Sequence, residues 1–267
     1  MTIGHVYFVG AGPGAPDLLT LRGKALIEQA DLIIYADSLV DPALTEFAHA
    51  GAEIIGSSAL TLEAIVERLI TAAQAGQTVV RLQSGDPAIY GAVHEQTARL
   101  DEAGVPWTIV PGVSAAFAAA ALLGCELTVP EVAQTVIFTR ISGRASPVPP
   151  KEELRGLAAH QTSLVIFLAV NFMRRVVDEL LAGGYPLDTP AAVVYKATWP
   201  DELVLTGTLE NIADHVRDAK LTKQALIMVG PALARSAHAE QRSRLYNPTH
   251  THLFRTGADR PKKRAKK

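Results

Sequence analysis

The sequence predicts an α/β fold made of two α/β lobes. Short apolar runs typical of buried strands alternate with segments whose apolar residues recur at helical spacing. Glycine- and proline-containing loops follow several of these runs, as expected where parallel strands end beside a ligand. The chain has 267 residues, which is long for one domain and sufficient for two.

The first half begins with a predicted strand–loop–helix–strand unit. Residues 5–10 and 31–36 are predicted as buried strands, and the apolar spacing between them predicts a helix over Leu18–Gln29 with Asp17 as its cap. Such a unit favours parallel strands. The further elements predicted here are a helix at 61–75, a strand at 78–83, a helix at 91–103 and a strand at 107–110.

The second half is predicted to form the other lobe. Its expected elements are strands at 134–140, 163–168, 191–196 and 225–229, a helix at 171–182 and an extended proline-rich stretch at 144–150. A helix within 112–130 is predicted to bridge the lobes. The predicted domains are therefore 1–113, 114–235 and an extension over 236–267, whose basic end "RPKKRAKK" is expected to be disordered.

Composition excludes several classes of function. The formal net charge of −2 gives no general attraction to nucleic acid or to an anionic membrane. Cys125 is the only cysteine, so a disulfide framework and a cysteine metal cluster are excluded. No signal peptide or membrane span is predicted, and we expect a cytoplasmic protein without nucleic-acid or membrane partners.

The first glycine-rich loop, "VGAGPGAP", leaves two interpretations open. Its pattern Gly10-x-Gly12-x-Gly14 resembles a dinucleotide loop, and Asp37 follows the second strand where a ribose-binding acid is expected. Pro13 and Pro16, however, remove backbone donors that a pyrophosphate requires. The alternatives are a dinucleotide site and a tight glycine turn without a ligand; a P-loop is excluded because no Gly-Lys-Ser/Thr follows.

Two further loops favour a different ligand. "SGDPAIYG" at 84–91 and "VPGVSAA" at 110–116 each follow a predicted strand, and Ser114 is predicted to cap the alanine-rich helix. A helix amino terminus is a natural position for a carboxylate. Three such loops without phosphate-binding chemistry predict an adenosyl ligand that has a carboxylate and no phosphates, a description that S-adenosylmethionine fits.

In combination these motifs resemble the tetrapyrrole (corrin/porphyrin) methylase family. The resemblance runs from Val6 to about Gly230 through "VGAGPGAPDLLTLRG", "YADSLV", "SGDPAIYG", "VPGVSAAFAAAA", "VVYKATWPDE" and "QALIMVG". It implies two α/β domains with a cleft between them, a homodimer, and transfer of a methyl group from S-adenosylmethionine to a carbon of a tetrapyrrole, leaving S-adenosylhomocysteine.

Within the family the chain is most similar to members that methylate C-11 of the corrin precursor precorrin-4 in cobalamin synthesis. This resemblance rests on "YADSLVDPAL", "ELTVPEVAQTVIFTRISGRASPVP", "VVYKATWPDE" and "SRLYNPTHTHLFR". The cobalt-containing form of the step, the C-17 and C-20 enzymes and the diphthine synthase-like methylases stay open. Ala92 stands where the uroporphyrinogen members carry arginine, which argues against uroporphyrinogen.

The resemblance also implies the residues that bind the methyl donor. The first domain contributes Pro13, Gly85, Asp86, Ile89, Tyr90, Ser114 and Ala115. The second domain contributes Phe167 and Leu168 beside the methionine part of the donor, and Ala197, Ala225 and Leu226 around adenine. Trp199 either covers the adenine or packs within the protein, and many of these contacts are expected to come from the backbone.

Catalytic and substrate-binding residues are predicted with alternatives. Asp37, Tyr90 and Glu95 are candidates for proton transfer or ring orientation, although Asp37 is also suited to capping a helix. Arg140, Arg144 and Lys196 are candidates for the substrate carboxylates.

Arg81 and Lys223 are further cations predicted near the cleft, and ordinary surface positions are the alternative for each cation. No metal site is expected, since His250 and His252 lack nearby ligands in the sequence. Two other functions compete with methyl transfer: a nucleotide-binding oxidoreductase that uses Gly10–Gly14 and Asp37, and a tetrapyrrole-binding module without catalysis.

Overall fold

The chain folds into two lobes, each built on a five-stranded sheet. The computed structural model describes residues 2–143, 147–234, 241 and 243–257. Sheet and helix alternate in both lobes, so the predicted α/β class is confirmed. One sheet lies on each side of residue 113 in the sequence, while the domain bounds themselves stay a prediction.

The first sheet is entirely parallel, with the strand order β3-β2-β4-β1-β5. Its strands are β1 (His5–Gly10), β2 (Leu32–Tyr35), β3 (Glu53–Gly56), β4 (Thr78–Gln83) and β5 (Trp107–Val110). Parallel neighbours require long crossovers. Those crossovers contain α1 (Leu21–Gln29), α2 (Leu62–Gln74) and α3 (Val93–Glu102), and the helices cover both faces of the sheet.

The second sheet is mixed, with the order β6-β7-β10-β8-β9. Only β6 and β7 pair in parallel. Its strands are β6 (Val136–Arg140), β7 (Ser163–Phe167), β8 (Pro190–Tyr195), β9 (Leu203–Thr208) and β10 (Ala225–Val229). One face packs against α5 (Leu154–Ala158), α6 (Met173–Ala182) and α7 (Ile212–Asp218).

The helix that joins the lobes, α4 (Ala115–Leu123), covers the other face of the second sheet. Its small side chains, among them Ala116 and Ala119, allow close packing on Val165 and Leu226. The helix begins after its cap Ser114 and ends at Gly124, whose φ is +60°. It is therefore shorter than the predicted bridging segment 112–130.

The remaining differences from the prediction have local causes. The helix expected from Leu18 begins at Leu21, because residues 16–18 form a 3₁₀ turn and the Thr20 hydroxyl accepts the Gly23 N–H at 3.0 Å. The predicted cap Asp17 is therefore wrong. Strands β3 and β9 were not predicted. Both lie at sheet edges, and neither contains a buried residue.

Adjacent parallel strands β4, β1 and β5 bring three glycines together at their carboxyl ends. A Cβ on Gly10 would lie 2.6 Å from the Gly112 Cα and 2.7 Å from the Gly85 carbonyl oxygen. A Cβ on Gly112 would overlap the same Gly85 oxygen. The loops after these strands therefore approach each other backbone to backbone, at a distance that only glycine permits.

We predict that Gly112→Ala destabilises the protein by about 1–3 kcal/mol, because the new methyl group overpacks the junction of the three loops. Thermal unfolding should show a fall in Tm of roughly 2–4 °C per kcal/mol. The matched control is Gly156→Ala on α5, where an added Cβ meets no atom within 4 Å. Equal Tm values for the two variants would contradict the steric argument.

Candidate functional site

The first two loops are joined by a pair of backbone hydrogen bonds. The Gly12 N–H donates to the Gly85 carbonyl at 3.2 Å, and the Gly85 N–H donates to the Gly12 carbonyl at 2.8 Å. Both glycines have positive φ, +76° and +62°. Because these groups bond to each other, the loops form one rigid unit, with Pro13 buried immediately beyond it.

Asp86 joins the second loop to the third. One carboxylate oxygen accepts the Ala88 N–H at 2.8 Å, and the other accepts the Gly112 N–H at 2.9 Å. Ile89 continues the same turn, with its N–H donating to the Asp86 carbonyl at 3.2 Å. The Asp86 side chain thus holds the second and third loops together. Both of its oxygens are used for this, so the second loop would contact a ligand through backbone groups.

Ser114 and Ala115 lie beside Gly85. The Ser114 side chain is buried, and its hydroxyl accepts the Ala116 N–H at 3.3 Å. A Cβ on Gly85 would lie 3.6 Å from the Ala115 nitrogen. The amino terminus of α4 therefore lies at the junction of the loops, and the helix dipole favours negative charge there.

The second lobe contributes an apolar wall. Phe167 ends β7, and the next residue, Leu168, is 68% exposed with a φ of +55°. Ala225 pairs with Tyr195 on neighbouring strands, while Ala197 and Leu226 are buried with α4. The Leu226 side chain is in the core, so only its backbone is available to a ligand.

Hydrogen bonds connect this wall directly to the loops of the first lobe. The Trp199 indole N–H donates to the Pro13 carbonyl at 3.0 Å, and the Ala15 N–H donates to the Thr198 hydroxyl at 2.9 Å. Of the two roles predicted for Trp199, the structure therefore favours packing. Thr198 was not predicted; the motif "TWPDE" marked the segment without revealing its partner.

Non-glycine residues with positive φ gather around the cleft. Six of the nine such residues in the described part of the chain flank it: Tyr90, Ala92, Leu168, Lys196, Thr198 and Gln224. Left-handed backbone costs about 1–3 kcal/mol at non-glycine residues and concentrates at functional sites. Strain of this kind supports a ligand site between the lobes.

The geometry disfavours the dinucleotide alternative. The residues after Gly14 form a 3₁₀ turn, and α1 begins only at Leu21, so α1 does not start directly from the first glycine loop. The pyrophosphate position of a dinucleotide fold needs a helix amino terminus at that loop.

Asp37, the candidate ribose ligand and proton carrier, is held by Ser58. Its two oxygens accept the Ser58 N–H at 2.7 Å and the Ser58 hydroxyl at 2.6 Å. These bonds hold the pKa of the Asp37 carboxyl below its ordinary value, so it stays ionised at neutral pH. The cap of the following 3₁₀ helix is Asp41 instead.

Tyr90 and Glu95 occupy different surroundings. The Tyr90 ring is 46% exposed and lies against Phe167 of the other lobe, with 5.3 Å between ring centroids. Partial burial raises the pKa of its phenol, and the charge of Arg140 opposes that rise. Glu95 is exposed in the first turn of α3. Of the three candidates, Tyr90 therefore reaches across the cleft.

The cations predicted to bind the substrate differ in their partners within the protein. Arg140 donates to the carbonyls of Ile141 at 3.3 Å and Pro147 at 3.1 Å, so it braces its own loop. The Lys196 ammonium lies 2.6 Å from an Asp201 oxygen, and this bond raises the pKa of Lys196. Arg144 lies outside the described residues.

Arg81 and Lys223 differ from each other in exposure. Arg81 is buried beneath α3, in the middle of β4. The prediction that it lies at a strand end or in a loop is therefore wrong. Lys223 is exposed, as a surface cation would be.

Two surface depressions lie away from the cleft. One of about 550 Å³ is lined by residues including Ile3 and Pro106 at the amino ends of the parallel strands. The other, about 430 Å³, lies between the Val132–Thr135 segment and His160. Ligands of parallel sheets bind beyond the carboxyl ends of the strands, so neither depression is the candidate site.

The described residues contain no cluster of three or more His, Cys, Asp or Glu able to hold a metal. Among those same residues, no helix combines the length and the apolarity that a bilayer span demands.

Comparison with known proteins gives relatives over nearly the whole chain. A cobalt-precorrin-4 C(11)-methyltransferase of Methanocaldococcus jannaschii is 49% identical, covering 94% of this chain and 95% of the relative. A precorrin-4 C(11)-methyltransferase of Pseudomonas aeruginosa is 47% identical, covering 94% of this chain and 99% of the relative.

Solved structures show the same similarity. A cobalt precorrin-4 methyltransferase, described as a cobalamin biosynthetic enzyme, matches with a TM-score of 0.83 and 44% identity, covering 86% of this chain and 95% of its own. A uroporphyrin-III C-methyltransferase from Thermus thermophilus, complexed with S-adenosylhomocysteine, matches with a TM-score of 0.73 and 30% identity, covering 87% and 100%.

The sequence model of one family, described as Tetrapyrrole (Corrin/Porphyrin) Methylases, matches residues 5–213. That range contains the three glycine loops, the segment around Trp199 and the wall residues Phe167, Leu168 and Ala197, whereas Ala225 and Leu226 lie beyond it. The chain therefore belongs to the tetrapyrrole methylase family.

Proposed function

We propose that the chain is an S-adenosylmethionine-dependent C-methyltransferase that methylates C-11 of precorrin-4, or of its cobalt form, in cobalamin biosynthesis. The observation that carries the proposal is a cleft formed by three joined glycine loops and an apolar wall, without phosphate-binding geometry. Relatives named for C-11 methylation support the choice of substrate. The relative named for the cobalt-containing substrate and the relative named for the cobalt-free one have nearly the same identity to this chain, so the proposal includes both forms of the substrate.

The cleft suits S-adenosylmethionine because it offers glycine-loop backbone, the amino terminus of α4 and apolar side chains. Pro13, Gly85, Asp86, Ile89, Tyr90, Ser114 and Ala115 would hold the donor from one side. Phe167, Leu168, Ala197, Ala225 and Leu226 would hold it from the other. When bound, the donor supplies an electrophilic methyl group.

The protein's own contribution is alignment and exclusion of water. The loops are fixed by the Gly12–Gly85 bonds and the Asp86 bond to Gly112, so little reorganisation accompanies binding. The helix terminus at Ala115 favours a carboxylate. Phe167 and Leu168 exclude water from the reacting groups and keep their surroundings apolar.

Among the acid–base candidates, we assign proton handling or ring orientation to Tyr90. Its ring lies against Phe167 of the other lobe, and the raised pKa of its phenol keeps it neutral and able to donate a hydrogen bond at physiological pH. Asp37 is bound on both oxygens by Ser58, which supports a positioning role. Glu95, exposed on α3, is the remaining candidate.

Carboxylates of the tetrapyrrole require cationic partners, and Arg140, Arg144 and Lys196 are proposed for them. Lys196 lies next to Ala197 in the wall, and its ammonium is 5.0 Å from the Trp199 ring. The homodimer is a further proposal, which light scattering of the purified protein would test. The cytoplasmic location stays a prediction from the sequence.

Calorimetric titration with S-adenosylhomocysteine should show binding, whereas NADH, the ligand of the oxidoreductase alternative, should not bind. Incubation of precorrin-4 and cobalt-precorrin-4 with a ¹³C-methyl donor should then yield a product carrying one added methyl group, located at C-11 by NMR. Binding of NADH alone would refute the proposal. Tetrapyrrole binding without methyl transfer would instead favour the non-catalytic module.

Tyr90→Phe should lower kcat by about 10²-fold, the lower end of the effect of a positioned acid–base group. Its affinity for S-adenosylhomocysteine should stay unchanged, because the ring and its contact with Phe167 are retained. Asp37→Asn and Glu95→Gln serve as comparisons and should keep kcat within a few-fold. A fully active Tyr90→Phe enzyme would remove Tyr90 from the chemistry.

Lys196→Met should raise KM for the tetrapyrrole by roughly tenfold, since one charge-assisted contact with a carboxylate is lost. Its affinity for S-adenosylhomocysteine should change little. Lys24→Met is the matched control, because Lys24 also pairs with a carboxylate, Glu28, but lies on α1. The assignment fails if the two variants give the same KM.

A further inference from the structure

Three buried polar side chains beneath α3 have no part in the chemistry proposed above. Arg81 and Gln83 project from β4, and Gln96 lies on α3; their exposed fractions are 7%, 4% and 3%. Polar groups are rarely buried this deeply unless their hydrogen bonds serve the structure or the site. Their partners therefore indicate their role.

Both glutamine amides bond to the backbone that follows Tyr90. The Gln83 amide N–H donates to the Gly91 carbonyl at 2.7 Å, and the Gln96 amide N–H donates to the Ala92 carbonyl at 3.0 Å. Arg81 lies behind Gln96: its Nε donates to the Gln96 amide oxygen at 3.4 Å. This contact orients the Gln96 amide, so its nitrogen points toward Ala92.

The segment held in this way is strained and closely fitted. Tyr90 and Ala92 have φ values of +55° and +49°. Between them, a Cβ on Gly91 would lie 2.5 Å from the Gln83 amide oxygen and would also overlap the Pro87 carbonyl. That Gln83 oxygen is itself buried without a hydrogen-bond partner. Strained backbone persists only where neighbouring groups hold it in place. Here the hydrogen bonds from the two glutamine amides hold the segment.

The strained segment also determines where the Tyr90 ring lies. A left-handed Tyr90 directs its ring across the cleft onto Phe167 of the other lobe, with 58° between the ring planes. Relaxation of residues 90–92 to ordinary backbone would move the ring from that contact. The buried amides are thus linked to the cleft through one short stretch of chain.

We propose that Gln83 and Gln96, supported by Arg81, are positioning residues that hold Tyr90–Ala92 in its left-handed conformation and thereby keep Tyr90 across the cleft. The consequence of this positioning for catalysis rests on the proposed methyltransferase function. The positioning itself does not, because it concerns the protein without any ligand.

Two substitutions separate positioning from general stability. Gln83→Met keeps the length of the side chain and removes the donor to Gly91. Gln96→Glu keeps the contact with Arg81, now as an ion pair. The ionised carboxylate has no N–H and cannot donate to the Ala92 carbonyl. The matched control is Gln161→Met, since the Gln161 amide donates to the Gly184 carbonyl at 2.9 Å, away from the cleft.

Hydrogen exchange of the full-length protein without ligand is the primary measurement. We expect exchange across residues 84–92 to accelerate about fivefold or more in Gln83→Met and Gln96→Glu, because each loses a buried hydrogen bond. Gln161→Met should leave that segment unchanged. In Gln96→Glu, Tm should stay near that of the wild type while kcat falls.

Unchanged exchange at 84–92 in both variants would overturn the proposal, and so would an acceleration spread evenly over the first lobe. Titration of the wild type with S-adenosylhomocysteine accompanies the measurement. Failure of the wild type to bind would refute the proposed function, while the exchange data would still decide the positioning role.

Discussion

The site depends on the close approach of three loops at the carboxyl edge of the parallel sheet. Gly10 ends β1, Gly85 and Gly112 follow the neighbouring strands, and a Cβ on Gly10 or Gly112 would overlap the facing backbone. The register of β1 with β4 and β5 fixes this approach. Because the loops are then bonded to one another, they have one arrangement, and a ligand meets a surface that already exists.

Polar side chains at this edge are largely engaged within the protein. Asp86 bonds to the third loop, Ser114 caps α4 and Asp37 bonds to Ser58. The surface left for a ligand consists of backbone groups, a helix terminus and apolar side chains such as Leu168. Such a surface offers a position for an anionic group, at the amino terminus of α4, beside apolar surface.

The sequence predicted the interior of the fold better than its edges and its long-range contacts. The bounds of β1, β4 and β10 match the prediction because these interior strands have strong apolar runs, and those of the edge strand β5 match as well, whereas the edge strands β3 and β9, which contain no buried residue, were missed. The loops of the site were predicted from their glycines. Their internal partners were not: Asp86 bonds to a residue 26 positions away, and Trp199 to one 186 positions away. Distances of that kind leave no periodic pattern to recognise.

The two lobes contribute different properties to one cleft. The first lobe supplies loops fixed by backbone bonds, while the second supplies the apolar wall and, beside it, Lys196 and Thr198, which like Leu168 have left-handed backbone. The bonds from Trp199 to Pro13 and from Ala15 to Thr198 tie the strained segment to the rigid loops. A shift of either lobe would therefore break hydrogen bonds and alter strained backbone together. These hydrogen bonds thus fix the two lobes relative to each other where the first loop meets the second lobe, and a fixed spacing is what the alignment of two reactants requires.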